Sequence, residues 1–340
     1  MPVRAVITGG AGFLGKTILR QCRARGWAVR AVGRKMHAEL VENGTEFFAL
    51  DVSLKKNLPA LTEIVAGADV VFHTAAKAGY WGSRREFERI NVAGTENVVA
   101  ACRAAGTRNL VYTSTPSVVF NGESISGGNE SMPYCPSALS LYATTKATAE
   151  KFVRAAHAPD ALRTVSLRPH LMWGVGDPHI LPRIIDRASQ MRLRIVGDGK
   201  NRIDLTHVEN AAHAHMLAAE ALLGNAGTLC GAPAGMGKAY FVSDGAPVVL
   251  WTWVNDFLRG LGIAPVERSI SFKSAYHVGA FLEFFWKIFG VAGEPPITRF
   301  VAIELSHDHW FDISAIRRDL NYAPIVPAET AFNSLLKSFR

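Results

Sequence analysis

The chain has 340 residues, of which 49% are hydrophobic and 19% charged, with a formal net charge of +8. That length holds one large or two moderate domains with a real core, and the composition is that of a globular enzyme, not of a disordered or fibrous chain. Lys and Arg are scattered, without basic runs or basic–aromatic interleaving, which argues against nucleic acid and leaves acidic substrates or anionic surfaces open. Cys22, Cys102, Cys135 and Cys230 are widely spaced with no C-x-x-C pattern, and no charged n-region with an apolar h-region opens the chain. A reduced, cytoplasmic protein without a metal site is therefore expected.

Residues 3–7 form an apolar, β-branched run of the kind that makes a buried parallel strand, and glycines follow at positions 9, 12 and 15 before a helical run over 16–25. In that pattern Gly9 permits a tight turn and Gly12 lets the backbone approach a pyrophosphate. Gly15 lets the helix pack on the strand, and the helix N-terminus points free N–H groups at the phosphates, with Phe13 and Leu14 between the glycines also assigned to the cofactor site. A second strand over 28–32 ends in Gly33-Arg34-Lys35. An acidic residue there would bond the ribose 2′-hydroxyl of NAD. Basic side chains suit a 2′-phosphate, so NADPH is expected over NADH, with Arg34 near the adenosine phosphate; the alternative is a solvated surface pair. Residues 47–51 read as a third strand that brings Asp51, with Val52 beside it, to the adenine amine. Residues 69–73 read as a fourth, and the small Ala75 and Ala76 after it, with Lys77, let a dinucleotide pass close to the backbone.

Residues 110–115 are a further buried strand ending in hydroxyls, and a Gly-, Ser- and Pro-rich loop leads to a helix over 141–156. On that helix Tyr142 and Lys146 are i and i+4 neighbours on one face. A free phenol titrates near 10; a nearby ammonium and an oxidised nicotinamide favour phenolate and lower that value, which fits the phenol for proton transfer near neutral pH. Ser114 or Thr115, ending the preceding strand, is placed to hold a substrate carbonyl.

The T-G-x-x-G-x-x-G start, Asn91-Val92-Ala93-Gly94-Thr95-Glu96-Asn97 and Y-x-x-x-K occur in the order found in extended short-chain dehydrogenase/reductases, and the chain resembles their 3β-hydroxysteroid-dehydrogenase-like branch. That resemblance implies a Rossmann-type doubly wound parallel sheet with a smaller, mixed α/β C-terminal substrate domain. It implies Thr115 as the catalytic hydroxyl, with Ser114 as second candidate, and Asn91 as a residue that bonds backbone near the active site; an N-cap for a helix beginning at Val92 is the other reading of Asn91. It also implies that His170 and Leu171, after the strand end at Pro169, lie beside the nicotinamide, with Pro169 and His170 in the cofactor site. His170 reads as a neutral loop histidine, a catalytic role being the alternative, and the resemblance suggests a homodimer. The stretches 75–82, 112–118, 167–174, 196–199 and 293–300 are most similar to 2-alkyl-3-oxoalkanoate reductases of bacterial olefin and β-lactone biosynthesis. What this implies is NADPH-dependent reduction of a long-chain, lipid-like 2-alkyl-3-oxoalkanoate, with Lys77 either meeting the substrate carboxylate or a solvated loop lysine. An oxidising 3β-hydroxysteroid or sterol dehydrogenase is the alternative. A non-catalytic NADPH-binding scaffold is the remote one, and it predicts erosion of a Thr115, Tyr142 and Lys146 trio that is intact.

The organisation expected is a dinucleotide-binding domain over 1–170, to which 203–230 returns as a strand near 203–206 and a helix over 210–223. The substrate domain comprises 171–202 and 231–340. His213 and His215 have no third ligand in sequence. The aromatic C-terminal third reads mainly as core packing. Its stretch 276–291 is strongly apolar but interrupted by Glu283 and Lys287, and it is shorter than the ~20 residues of a bilayer span. A buried helix is the leading expectation there, with an acyl-tunnel cover, peripheral membrane contact or docking on a pathway enzyme as alternatives.

Overall fold

A computed structural model describes residues 1–135, 140–224 and 237–339. Seven strands form one parallel sheet in the spatial order Ala239–Val242, Arg163–Pro169, Asn109–Thr113, Val70–His73, Arg4–Thr8, Ala28–Gly33, Glu46–Ala49. Val70–His73 and Asn109–Thr113 are buried at every residue, as continuous apolar runs covered on both faces should be. Helices Phe13–Ala24 and Val208–Leu223 pack together on one face, in a core that includes Ile18, Leu19, Ala211 and Met216. Helices Leu58–Val65, Gly94–Ala105 and Leu141–Ala155 cover the other, around Leu61, Val98, Cys102 and Val153. Strand order reverses between Arg4–Thr8 and Val70–His73, so the carboxyl ends of these two strands open the crevice in which doubly wound sheets bind ligands.

A second, mixed sheet lines up Val248–Val249, Arg202–Ile203, His309–Phe311 and Ile125–Gly128. Three sequence expectations change here. The loop after Asn109–Thr113 is not wholly irregular, because Ile125–Gly128 crosses to pair with His309–Phe311. The strand expected near 203–206 splits at Asp204: Arg202–Ile203 joins the second sheet, Thr206–His207 pairs with Met172–Trp173, and only the following helix returns to the large sheet. Ala239–Val242, assigned with 231–340 to the substrate domain, is instead the edge strand beside Arg163–Pro169. Four buried residues are too short a run to reveal which sheet they join. Cys230 and the end of 203–230 lie outside the described residues.

Trp173, Trp251, Trp253 and Phe257 pack within two small cores of the C-terminal part. Helix Phe272–Phe289 does not follow them inside. Of its 18 residues only Ala275 and Gly279 are buried, which overturns the leading expectation for 276–291.

Candidate active site

The glycine turn closes on the reversal point of the sheet. Gly9 has φ +76°, and a Cβ there would stand 2.8 Å from the backbone nitrogen of Ala75 and from Thr74 Oγ1. At Gly15 a Cβ would collide with the Gly9 carbonyl oxygen, so helix Phe13–Ala24 can start this close to the turn only without a side chain. Gly12 donates its N–H to Gly9 O at 2.9 Å and caps the helix with neither a side-chain acceptor nor an acid in the first turn. Leu14 is buried and Phe13 half-buried beneath this edge. The first N–H groups of the helix are thus left for an anion.

Arg34 and Lys35 follow the carboxyl end of Ala28–Gly33, exposed and with no ion pair or hydrogen bond among the described residues. Asp51 lies just past the end of Glu46–Ala49, not inside the strand as expected. Its Oδ1 accepts from Ser53 N at 2.9 Å and Ser53 Oγ at 2.6 Å, and Arg89 sits 3.2 Å from Oδ2. Partial burial raises its carboxyl, but these bonds outweigh it and hold the group below the usual carboxylate range. Val52 is buried beside it and accepts from Asn97 Nδ2 at 2.9 Å.

Asn91 is not an N-cap. It lies inside a single π-helical turn, Glu88–Ala93, between helices Arg84–Phe87 and Gly94–Ala105. Its Oδ1 accepts from Lys77 N at 2.7 Å, and its Nδ2 donates to Lys77 O at 3.1 Å and Thr145 Oγ1 at 3.0 Å. One buried amide thus ties the loop after Val70–His73, with Ala75 and Ala76, to the helix bearing Tyr142. The Lys77 ammonium turns away, 3.0 Å from Glu86 and over the Phe87 ring, so the structure does not aim it at a substrate carboxylate.

Ser140 caps helix Leu141–Ala155 through a 3.1 Å bond from Ala143 N, and the helix carries Tyr142, Lys146 and Glu150 up one face. The Thr115 hydroxyl donates to Ser117 Oγ at 3.2 Å and accepts from Ser117 N at 3.3 Å, and it lies close enough to the Tyr142 phenol to oppose the upward pull of burial on that group. Ser114 is buried, its hydroxyl without a well-formed hydrogen bond, and sits beside the Glu150 carboxylate instead. The two candidate hydroxyls therefore face different partners. Burial pushes the phenol of Tyr142 up to about 12, with Thr115 opposing; the lowering by Lys146 expected from sequence is not seen in the protein alone. Burial pulls Lys146 down to about 7, against the raising effect of Glu150. Its amine donates to Thr113 O at 2.5 Å and lies 4.3 Å from the Tyr112 ring centroid.

Behind the trio is a pair that the sequence reading missed. Arg168 and Glu150 are both essentially fully buried and joined at 3.0 and 2.6 Å, with Tyr134 donating to the same carboxylate at 2.7 Å. Burial raises the Glu150 carboxyl, but Arg168 prevails and holds it low. Glu150 follows Lys146 by one further helical turn, so the i+4 spacing was visible although its partner was not.

Pro169 ends its strand, and the His170 N–H donates to Val242 O and Thr206 Oγ1, each at 3.1 Å. His170 Nε2 lies 3.0 Å from His309 Nδ1, whose other nitrogen is 2.8 Å from Glu304 O. Burial, then His309, keeps His170 neutral well below its ordinary value. Leu171 next to it has φ +28°, a strained backbone for a branched residue at the cleft. Tyr80, also unforeseen, packs on Phe300 with ring centroids 4.9 Å apart and lies within electrostatic range of Tyr142, Glu304, Arg183 and Glu294. His215 is a satisfied core residue between Thr113 Oγ1 at 2.8 Å and Ala211 O at 2.7 Å.

A glycine turn at the reversal point of a parallel sheet, facing a phenol, a hydroxyl and an amine at the same edge, belongs to an NAD(P)-dependent oxidoreductase. The model of the 3-beta hydroxysteroid dehydrogenase/isomerase family matches residues 6–273, and the chain belongs to that family. It is 44% identical to the 2-alkyl-3-oxoalkanoate reductase of Stenotrophomonas maltophilia, covering 99% of both chains. It is 41% identical to the enzyme of the same name from Shewanella oneidensis, over 98% of this chain and 86% of that one. The sterol-4-alpha-carboxylate 3-dehydrogenase (decarboxylating) of Mus musculus is 30% identical over 99% of this chain and 91% of its own. Among solved structures, UDP-glucose 4-epimerase from Brucella ovis in complex with NAD shares the fold, with a TM-score of 0.74, 21% identity and coverage of 99% and 98%. The reductase-named relatives support a reductase role.

Proposed function

We propose that this protein reduces a long-chain 2-alkyl-3-oxoalkanoate to the 2-alkyl-3-hydroxyalkanoate, using NADPH. The observation that carries the reading is the helix of Tyr142 and Lys146 docked by Lys146 on the carboxyl end of the Asn109–Thr113 strand, just before Thr115, in a chain 44% identical to a 2-alkyl-3-oxoalkanoate reductase.

Gly9, Gly12, Phe13, Leu14 and Gly15 would hold the pyrophosphate, and Asp51 and Val52 would meet the adenine. Ala75, Ala76 and Lys77 would let the cofactor pass close to the backbone, and Pro169 and His170 would lie beside its nicotinamide. Unpaired Arg34 supports the 2′-phosphate and hence NADPH over NADH. When bound, the cofactor supplies a hydride to the ketone carbon. The carbonyl electron pair then passes to oxygen, where Tyr142 donates its phenolic proton and becomes phenolate. Thr115 donates a hydrogen bond to the same oxygen, which favours the charge that develops there. Lys146 bonds the nicotinamide ribose hydroxyls and, when protonated, stabilises the phenolate. Neutral His170, held by His309, adds no charge beside the ring.

A second reading, oxidation of a 3β-hydroxysterol, rests on the family match and on the mouse relative. The two are separated by nicotinamide absorbance. A long-chain 2-alkyl-3-oxo acid is offered with NADPH, its stable hydroxy acid with NADP, and a 3β-hydroxysterol with NAD or NADP. Turnover with the acid pair alone is expected; turnover with the sterol alone replaces the substrate while leaving the trio in place.

A further inference from the structure

Helix Phe272–Phe289 turns its apolar side outward. Val278 (44% exposed), Phe281 (64%), Phe284 (62%), Phe285 (38%), Ile288 (59%) and Phe289 (65%) are six of the thirteen large hydrophobic residues exposed among the described residues. Positions 278, 281, 285 and 288 repeat at helical spacing on one face, and 284 and 289 flank it. A soluble domain buries such a stripe unless the stripe has a use.

The helix cannot roll to hide it. Gly279 lies so close to the backbone at Thr298 that a Cβ would stand 2.7 Å from its carbonyl carbon. Glu283, the one acidic residue of the helix, is drawn inward by Arg299, accepting from Arg299 N at 2.7 Å and Nε at 2.9 Å. The other charges of the helix, Lys273 and Lys287, are exposed near its two ends. Lys287 stands 5.9 Å from the Trp81 ring centroid; Trp81 adjoins Tyr80, and Tyr80 packs on Phe300 at the cleft. Through Lys287 the helix thus reaches the Tyr80–Trp81 segment, whose Tyr80 lies within electrostatic range of Tyr142. At 1.5 Å per residue the helix is about 27 Å long, but no helix among the described residues is long and apolar enough to cross a membrane.

We propose that this helix lies in the plane of an anionic lipid surface, phenyl rings down, and sets the cleft mouth against the lipid. Aromatic and aliphatic side chains flanked by lysines match the acyl boundary and the phosphates above it, and the chain as a whole carries a net charge of +8. A second copy fits less well. Paired in either direction, the helices bring lysine against lysine, and the one carboxylate of the helix, Glu283, is already held by Arg299. The role in loading a lipid substrate rests on the function proposed above; surface binding itself does not.

The test is flotation of the full chain with phosphatidylglycerol-containing vesicles and with pure phosphatidylcholine vesicles, without substrate. The wild type is expected to float with the anionic vesicles and to be released by salt. The triple variant Phe281→Ser, Phe285→Ser, Ile288→Ser should partition at least tenfold less, with an unchanged melting temperature. Lys273→Glu with Lys287→Glu should lose the preference for anionic lipid. Wild type that stays in the aqueous fraction, equal binding to both vesicles, or a triple variant that floats like wild type overturns the proposal. So does a wild-type dimer that the triple substitution splits without any change in flotation, because the face would then serve a second copy. Turnover of a short, water-soluble 2-alkyl-3-hydroxy acid is measured alongside, without vesicles: its absence sinks the substrate reading and leaves flotation to be judged separately.

Discussion

Two helices of this chain invert the usual partition of side chains. Leu141–Ala155 buries Lys146 and Glu150, whereas Phe272–Phe289 leaves six large apolar residues in solvent. The first tolerates buried charge because each group has a partner: Arg168 for Glu150, and the Thr113 carbonyl with the Tyr112 ring for Lys146. The second has no partner for its apolar face among the described residues. On the readings proposed above, departures from the inside–outside rule mark where the molecule meets something else, cofactor and substrate in one case and a lipid surface in the other.

The comparison is broken most severely at the buried ion pair. Glu150→Ala leaves the Arg168 guanidinium, 1% exposed, without its counter-ion. Chemical denaturation should then show a loss of about 3–5 kcal/mol; a loss below about 1 kcal/mol would mean that the pair contributes little. Next in size is the contrast between neighbouring hydroxyls. Thr115→Val should lower turnover by about a hundredfold, the scale of one lost oxyanion donor, while Ser114→Ala, which removes a group facing Glu150, should leave turnover within a few-fold. Equal effects would undo the assignment.

The Lys146 amine sharpens the comparison through pH. Its folded value, about 7, lies below its unfolded value, so between them the unfolded chain binds the extra proton. Stability of the cofactor-free protein should therefore rise with pH in that window, by at most about 1.4 kcal/mol per pH unit from this group. Thiols Cys22 and Cys102, raised to about 12 by burial, oppose the trend above their unfolded values. The clean readout is wild type minus Lys146→Met between about pH 7 and 8, below the unfolded thiol value near 8.5, where the difference should grow with pH; a flat difference would place the amine's titration elsewhere. The smallest effect belongs to the exposed end of the cofactor site. Arg34→Ala should weaken NADPH by about tenfold, or ~1.4 kcal/mol, and leave NADH nearly unchanged, as read by fluorescence titration. An equal loss for both would remove the argument for the 2′-phosphate.

The sheet and the cofactor turn were legible in sequence because their signals are local. Glycines at 9, 12 and 15 follow a β-branched run, and Tyr142 and Lys146 share one helical face. What stayed hidden depends on contacts distant along the chain. Arg168 on a strand meets Glu150 on the helix that covers it, Ile125–Gly128 pairs with His309–Phe311, and His170 stacks on His309. The outward face of 276–291 was hidden for another reason: its apolar composition is the same whichever side faces solvent, and only the close approach at Gly279 fixes it.

The most direct test of the central claim is Tyr142→Phe, with cofactor affinity and turnover of the 2-alkyl-3-hydroxy acid pair measured on one preparation. The expected result is an NADPH dissociation constant within a few-fold of wild type and turnover lower by about 10²–10⁴-fold, the share of a positioned acid or base. Full turnover with normal cofactor binding would contradict Tyr142 as the proton donor.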